Sequence, residues 1–222
     1  MPKNRSETSQ GASGRVRFSL AKAYRHLRAA DPKLGALIDQ HGPFTPRPSP
    51  DPYGALVRSI FFQQLAGAAA TAIMRRTFAL FGDAEATPDP ADFLPASDTD
   101  LRGAGLSRQK ISYLRDLAQH VVDGRLRFDA VNGMTDAEVI EHLTAVRGIG
   151  EWSAHMFLMF HLGRPDVLPT GDLGVRKGMQ AVYRLRKEPD VPRATKIGAP
   201  WAPYRSVGSW YMWRAVETRT PE

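Results

Sequence analysis

One carboxylate in this chain stands where its neighbours could put it to chemical use. Asp172 ends the run Leu168-Pro169-Thr170-Gly171-Asp172 and opens a helical stretch. Aspartate there is a good N-cap, and a carboxylate so held is fixed in place with the helix dipole favouring its charged form. Twenty positions earlier, Trp152 lies on the first turn of an apolar-faced run that follows the tight turn Arg147-Gly148-Ile149-Gly150. Two glycines around one aliphatic residue let backbone N–H groups point outward at a helix N-terminus, an arrangement that suits a phosphate oxygen. Ile149, buried, would pin the turn. These features share one stretch, Leu143 to Lys177, and the rest of the chain must position it.

Composition narrows the partners. The chain has 222 residues, with 30 Lys and Arg against 23 Asp and Glu, a formal net charge of +7. That length can bury a core in one unit or two small lobes, and the basic balance favours polyanions, nucleic acid above all. There is no cysteine, which excludes disulfides, thiolate zinc sites and an iron–sulfur cluster. The six histidines show no zinc-ligand spacing. No window approaches the ~18 apolar residues of a membrane span. Met1 to Arg15 is polar, without the apolar core of a secretory signal, and reads as a disordered tail. A cytoplasmic, nucleoid-associated monomer is the expectation.

The periodicity is helical throughout and no stretch alternates with period two. Phe18 to Ala30 reads as a first helix. Asp31-Pro32 caps and opens a second, which His41-Gly42-Pro43 ends. Phe44 to Pro52, with four prolines, reads as a loop and a lobe boundary. A helix from Asp51-Pro52 gives way near Gln63-Gln64 to another that ends at Gly82. Short helices follow at 88–93 and 97–101. Ser107 caps an amphipathic helix that Gly124 stops. Leu101-Arg102-Gly103-Ala104-Gly105 faintly echoes the glycine turn at 147–150, although an ordinary interhelical turn accounts for it. Thr135 and Glu138 match a capping box opening the helix Asp136 to Ala145. Glu151 to Leu162 and Asp172 to Arg184 are the next helices. Arg193 to Pro203 reads as loop-rich, and Tyr204 to Glu217 as a last helix. The fold class is therefore all-α. Two helical lobes are expected, with a cleft between them. One lobe is 53–165, ending in the helical hairpin 136–162, and the other joins 16–52 to 166–222, with 1–15 as the tail.

The stretch LTAVRGIGEWSAHMFLMFHLGRPDVLPTGDLGVRK resembles the helix-hairpin-helix DNA glycosylase superfamily, and within it the 3-methyladenine DNA glycosylase II, or AlkA-like, branch. Ser59 to Leu65, Leu101 to Leu114, Tyr204-Arg205-Ser206 and Trp213 extend the resemblance across roughly 50–216. It implies a monofunctional glycosylase that flips alkylated purines, of the 3-methyladenine and 7-methylguanine type, out of double-stranded DNA and hydrolyses their N-glycosidic bond. Asp172 is then the catalytic carboxylate, stabilising an oxocarbenium-like state and orienting or deprotonating water. An alkylated purine already carries positive charge, so the lack of a paired general acid fits. Trp152 stands where lyase-active relatives carry a Schiff-base lysine, and Lys177, a turn beyond Asp172, gives no reason to serve instead. Trp152 and Trp213 match aromatic positions of the base pocket, while Met156 and Leu173 stand where the family has aromatics. A cationic base is well held against electron-rich rings. Gly148, Ile149 and Gly150 would face a DNA phosphate, with Arg147 beside them. The wedge that fills the vacated stack falls among Gln63, Gln64 and Leu65. A Na⁺ or K⁺ ion could sit on the carbonyls of Thr144, Val146 and Ile149, and no other cofactor is implied. The β-rich domain that often precedes such enzymes is absent here or reduced to helices. Two alternatives stand beside this reading. One is a glycosylase for uracil, oxidised or mismatched bases. The other is a non-catalytic hairpin module that only grips DNA.

Overall fold

The computed structural model of the chain describes residues 18–44 and 51–217. The expected tail at 1–15 lies outside them, as does most of the proline loop. Among the described residues there are twelve α-helices and no strand, the all-α architecture that the periodicity implies.

Caps explain most helix starts. Ser19 accepts from Lys22 N ahead of α1 (Leu20–Ala30), and Asp31 accepts from Lys33 N and Leu34 N ahead of α2 (Pro32–His41). Asp51 caps α3 (Pro52–Phe62), and α4 (Gly67–Ala79) follows without a side-chain cap. Two short helices, α5 (Pro90–Phe93) and α6 (Asp98–Gly103), lead to α7 (Arg108–Val122), capped by Ser107. The capping box at Thr135 and Glu138 is formed in full ahead of α8 (Asp136–Thr144), so both side chains satisfy backbone donors that the helix cannot.

Three elements differ from the periodicity. The helix expected over 151–162 is α-helical only as α9 (Glu151–Met156) and then widens to a π turn at Phe157–His161. Leu162 N accordingly donates to Phe157 O, five residues back, at 3.0 Å. Asp172 lies just outside α10 (Leu173–Tyr183), as its cap, and Arg184 ends that helix in the left-handed region at φ 54°. The stretch read as loop-rich at 193–203 is mostly helical, with α11 (Val191–Gly198) followed by a 3-10 turn at Ala199–Trp201. Its start is set by Asp190, which accepts from Arg193 N, with Pro192 in the first turn, where the missing N–H costs nothing. Proline also stands in the first turn of the 3-10 segment, at Pro200. The chain ends in α12 (Arg205–Glu217).

The apolar residues gather in two clusters. The first takes α3, α4, α7, α8, α9 and the π turn, from Tyr53 to Val167. The second joins α1 and α2 to α10, α12 and Trp201. Phe160 and Trp213 pack against both, with ring centroids 5.8 Å apart. The residues expected to do chemistry sit at that seam. In the second cluster Tyr183 and Trp201 both donate to the Asp31 carboxylate, tying α2 to the chain's C-terminal third.

Candidate active site and DNA-facing surface

Three elements deliver the site. Asp172 closes a tight turn in which its N–H donates to Pro169 O at 2.9 Å. Its Oδ1 then accepts from Val175 N at 2.7 Å, so the carboxylate is bound into the first turn of α10. Trp213 reaches the same oxygen from α12, its Nε1–H at 2.7 Å. Trp152, from the first turn of α9, donates its Nε1–H to Oδ2 at 2.6 Å. Asp172 is 8% exposed and Trp152 is 50% exposed.

The approach of α12 depends on glycines spaced four apart on α10. A Cβ at Gly178 would lie 2.1 Å from Met212 O, and one at Gly174 would lie 2.6 Å from Trp213 Cδ1. Any larger residue would hold α12 off and withdraw the Trp213 indole. The start of α12 is secured separately. Ser206 accepts from Val167 N at 2.9 Å and donates to Arg164 O at 2.7 Å. Arg205 grips Asp166 with a forked pair at 2.7 and 2.8 Å. Burial alone would raise the Asp166 pKa, but the hydrogen bonds from Arg205 outweigh it and hold the carboxyl below its ordinary value.

This geometry decides where chemistry can occur on Asp172. A carboxylate offers about four in-plane lone-pair positions. Oδ1 is occupied by two donors and Oδ2 by one. The remaining position is on Oδ2, next to the half-exposed Trp152. Two indole N–H groups and a backbone amide thus converge on this one carboxylate.

A cavity of about 470 Å³ lies in the first cluster, with Met156, Phe157, Phe160 and His161 on one wall and Arg58 and Ser59 on the other, and Asp172, Trp152 and Trp213 are not part of its lining. Phe160 joins it to Trp213 and so to Asp172. Met156 lines this cavity. Leu173 does not, and stands 49% exposed next to Asp172. Phe160 and His161 were not singled out from the sequence, although Phe160 stands eight positions after Trp152 and four after Met156, on one helical face. The π turn brings His161 to the same wall. Its ring stacks on Phe157 at 4.6 Å, its Nδ1 is buried without a partner, and burial holds its pKa below the ordinary histidine value.

The glycine turn is built as the spacing suggests. Gly148 has φ 86°, in the left-handed region, and a Cβ there would lie 2.2 Å from the Tyr113 ring. Ile149 is 3% exposed and donates its N–H to Val146 O at 3.1 Å. Its N–H is therefore engaged, whereas those of Gly148 and Gly150 meet no acceptor among the described residues. Arg147 is anchored through its backbone, its N–H donating to Asp116 at 2.8 Å while the guanidinium stays largely exposed.

Gln63, expected among the wedge residues, donates its amide to Gly148 O at 2.8 Å and ties the loop after α3 to the turn. Gln64 sits at φ 56°, uncommon for a residue with a side chain, and Leu65 is 38% exposed. The faint echo near residue 103 is an ordinary helix-ending turn, in which Leu106 N donates to Leu101 O at 3.2 Å. Gly105 has φ 107°, Leu106 behind it is 2% exposed, and Gly105 and Gly148 line one groove of about 370 Å³ with Gln64 and Lys110.

Comparison with known proteins agrees with this architecture. The chain is 32% identical over 200 residues to DNA-3-methyladenine glycosylase 1 of Schizosaccharomyces pombe, covering 88% of this chain and 87% of that protein. It superposes on the crystal structure of a DNA-3-methyladenine glycosidase from Bacillus halodurans with a TM-score of 0.80 at 40% identity, covering 89% and 90% of the two chains. The Schizosaccharomyces pombe 3-methyladenine DNA glycosylase in complex with abasic DNA gives 0.78 at 32% identity, covering 87% and 95%. A family model matches residues 57–203, from α3 through the glycine turn and Asp172 to the start of the last helix, and the chain belongs to the HhH-GPD superfamily of base excision DNA repair proteins.

Proposed function

We propose that this protein is a DNA glycosylase that releases alkylated purines, 3-methyladenine and 7-methylguanine among them, and leaves the abasic strand uncut. The observation that carries the reading is the Asp172 carboxylate, buried at the seam, held by two indoles and a backbone amide, with one acceptor position open toward Trp152. The relatives named as 3-methyladenine glycosylases support the substrate class.

The duplex lies across the turn at Gly148 and Gly150, whose N–H groups take a phosphate, with Arg147 beside it. The base leaves the stack. Gln64 and Leu65 fill the gap, since Gln63 is occupied by Gly148 O. The flipped base sits against Trp152, Trp213, Phe160 and Met156, with Leu173 at the rim, in an aromatic setting that attracts a cationic purine. Asp172 then steadies the positive charge that develops on the sugar as the bond breaks, and orients the water through Oδ2. Trp152 has no amine for a Schiff base, so no covalent adduct forms and the strand is not cleaved. A monovalent cation suits three neutral carbonyls such as those of Thr144, Val146 and Ile149. Val146 O keeps one lone pair for it after accepting from Ile149 N. The ion would fix the turn and take no part in bond breaking. We assign the lobes to 53–165 and to 16–52 with 166–222, and take the active species to be a monomer on double-stranded DNA in the cytoplasm.

A panel of duplexes, each with one defined lesion, tests this by release of free base. Release of methylated purines with no borohydride-trapped adduct is the expected result. Release of uracil or an oxidised base alone would reassign the substrate. No release from any duplex would leave only a DNA-gripping module.

A further inference from the structure

The proposed activity leaves one strongly charged feature of the surface unused. A groove of about 600 Å³ runs beside α10 and the first turn of α11. Arg176, Arg186, Lys187 and Arg193 line it, with Glu188 and Asp190 as its only carboxylates. Asp190 is engaged as the cap of α11. None of the four cations forms a salt bridge among the described residues. The Nε–H of Arg176 is buried with no acceptor. Four unpaired cations on one concave surface repel one another, and a folded chain gains nothing from that arrangement unless an anion is bound there.

The groove is built into the fold. Arg184, left-handed at φ 54°, ends α10 and turns the chain back, so that 185–190 returns past Gln180 and carries Arg186 and Lys187 opposite Arg176. It also begins next to the reactive carboxylate. Arg176 is four residues beyond Asp172 on the same helix, a rise of ~6 Å, and Gln180 is ~12 Å along. One strand of duplex DNA presents a phosphate every ~3.4 Å of axis. A backbone that passes Asp172 and follows α10 therefore reaches the groove about two to four nucleotides from the lesion.

We propose that this groove is a second DNA-backbone site, separate from the glycine turn, which takes successive phosphates flanking the damaged nucleotide. It rests on the function proposed above and adds to it where the duplex runs. Contacts of this kind read no sequence and no lesion. They set residence on DNA and its salt dependence.

The test is Arg186→Ala/Lys187→Ala/Arg193→Ala. All three side chains are exposed, so the melting temperature should not move. Anisotropy titrations of a long lesion duplex against salt should give a log–log slope smaller by about 2.7, at ~0.9 per phosphate contact. Over a fourfold rise in salt the wild type then loses ~40-fold more affinity than the variant. Undamaged duplex should respond alike, and the single-turnover excision rate at saturating protein should be unchanged. On long duplexes whose phosphates two to four nucleotides from the lesion are replaced by neutral methylphosphonates, variant and wild type should bind equally. Equal slopes on the unmodified duplex would overturn the proposal, as would an equal weakening on unmodified and methylphosphonate duplexes. A wild type that binds DNA with the expected slopes yet releases no base would overturn the enzymatic reading and leave this one standing.

Discussion

Replacing Asp172 by asparagine separates its two roles, and the structure sets the size of each effect. Asparagine keeps one carbonyl oxygen. It can take the place of Oδ1 and still accept from Val175 N and Trp213 Nε1, so the cap survives. Its NH₂ group must then face the Trp152 Nε1–H, which now sits 2.6 Å from Oδ2, and two donors would meet. Trp152 is half-exposed and can turn its N–H to water, so the loss is about one charge-assisted hydrogen bond, ~1–2 kcal/mol, or a melting temperature lower by ~2–8 °C. The chemical loss is larger. Without the anion, proton transfer worth ~100–10,000-fold goes, and the electrostatic stabilisation of the sugar cation goes with it. Single-turnover excision at saturating protein, read beside calorimetry, should show a fall of at least ~100-fold in a protein still folded at the assay temperature. A second substitution checks the geometry. In Asp172→Asn/Trp152→Phe the facing donor is gone, so the double variant should be more stable than the sum of the single effects by ~1 kcal/mol, beyond the ~0.3–0.5 kcal/mol expected of independent sites. Near wild-type excision by Asp172→Asn would refute the catalytic assignment. Strict additivity in the cycle would refute the indole clamp.

Gly174→Ala should lower excision at least tenfold with little change in DNA affinity, because the new Cβ pushes the Trp213 indole off Oδ1, and activity together with anisotropy checks it. Gly148→Ala should destabilise by more than ~2 kcal/mol in urea unfolding, since the left-handed conformation alone costs ~1–2 kcal/mol and the Cβ also meets the Tyr113 ring. His161 has a folded pKa below the unfolded value of 6.5, so its contribution to stability is complete above pH 6.5 and is lost as pH falls through the folded value. His161→Phe, which keeps the stack on Phe157, should flatten the dependence of melting temperature on pH below 6.5, and an unchanged slope would remove His161 as a source of acid lability. Asp166 is depressed in the same direction by Arg205, so Asp166→Asn should cost ~1 kcal/mol at neutral pH, with the difference closing as pH falls below the ordinary carboxylate range.

What was legible in the sequence follows from how local its cause was. Helix starts set by one side chain and the next turn, as at Asp31, Ser107 and Thr135, are written within four residues and form where the pattern places them. The start at Asp190 is equally local, with Asp190 as cap and Pro192 in the first turn, although 193–203 read as loop-rich. The π turn has no such signature. It packs against α3 and places His161 on the cavity wall beside Phe157. The site divides along the same line. Asp172 and the glycine turn stand out because a cap and a left-handed glycine each have a local cause. That both tryptophans donate to the carboxylate depends on α9 and α12 meeting across 61 residues of chain, through glycines whose value lies in what they leave open. The spacing Gly174 and Gly178, four apart on the helix that Asp172 caps, is the mark of that approach in the sequence. It becomes readable once a helix with a reactive cap is known to need a close neighbour. The tryptophans were expected as walls for the base, and the geometry adds a second duty, in which each indole donates its Nε1–H to Asp172.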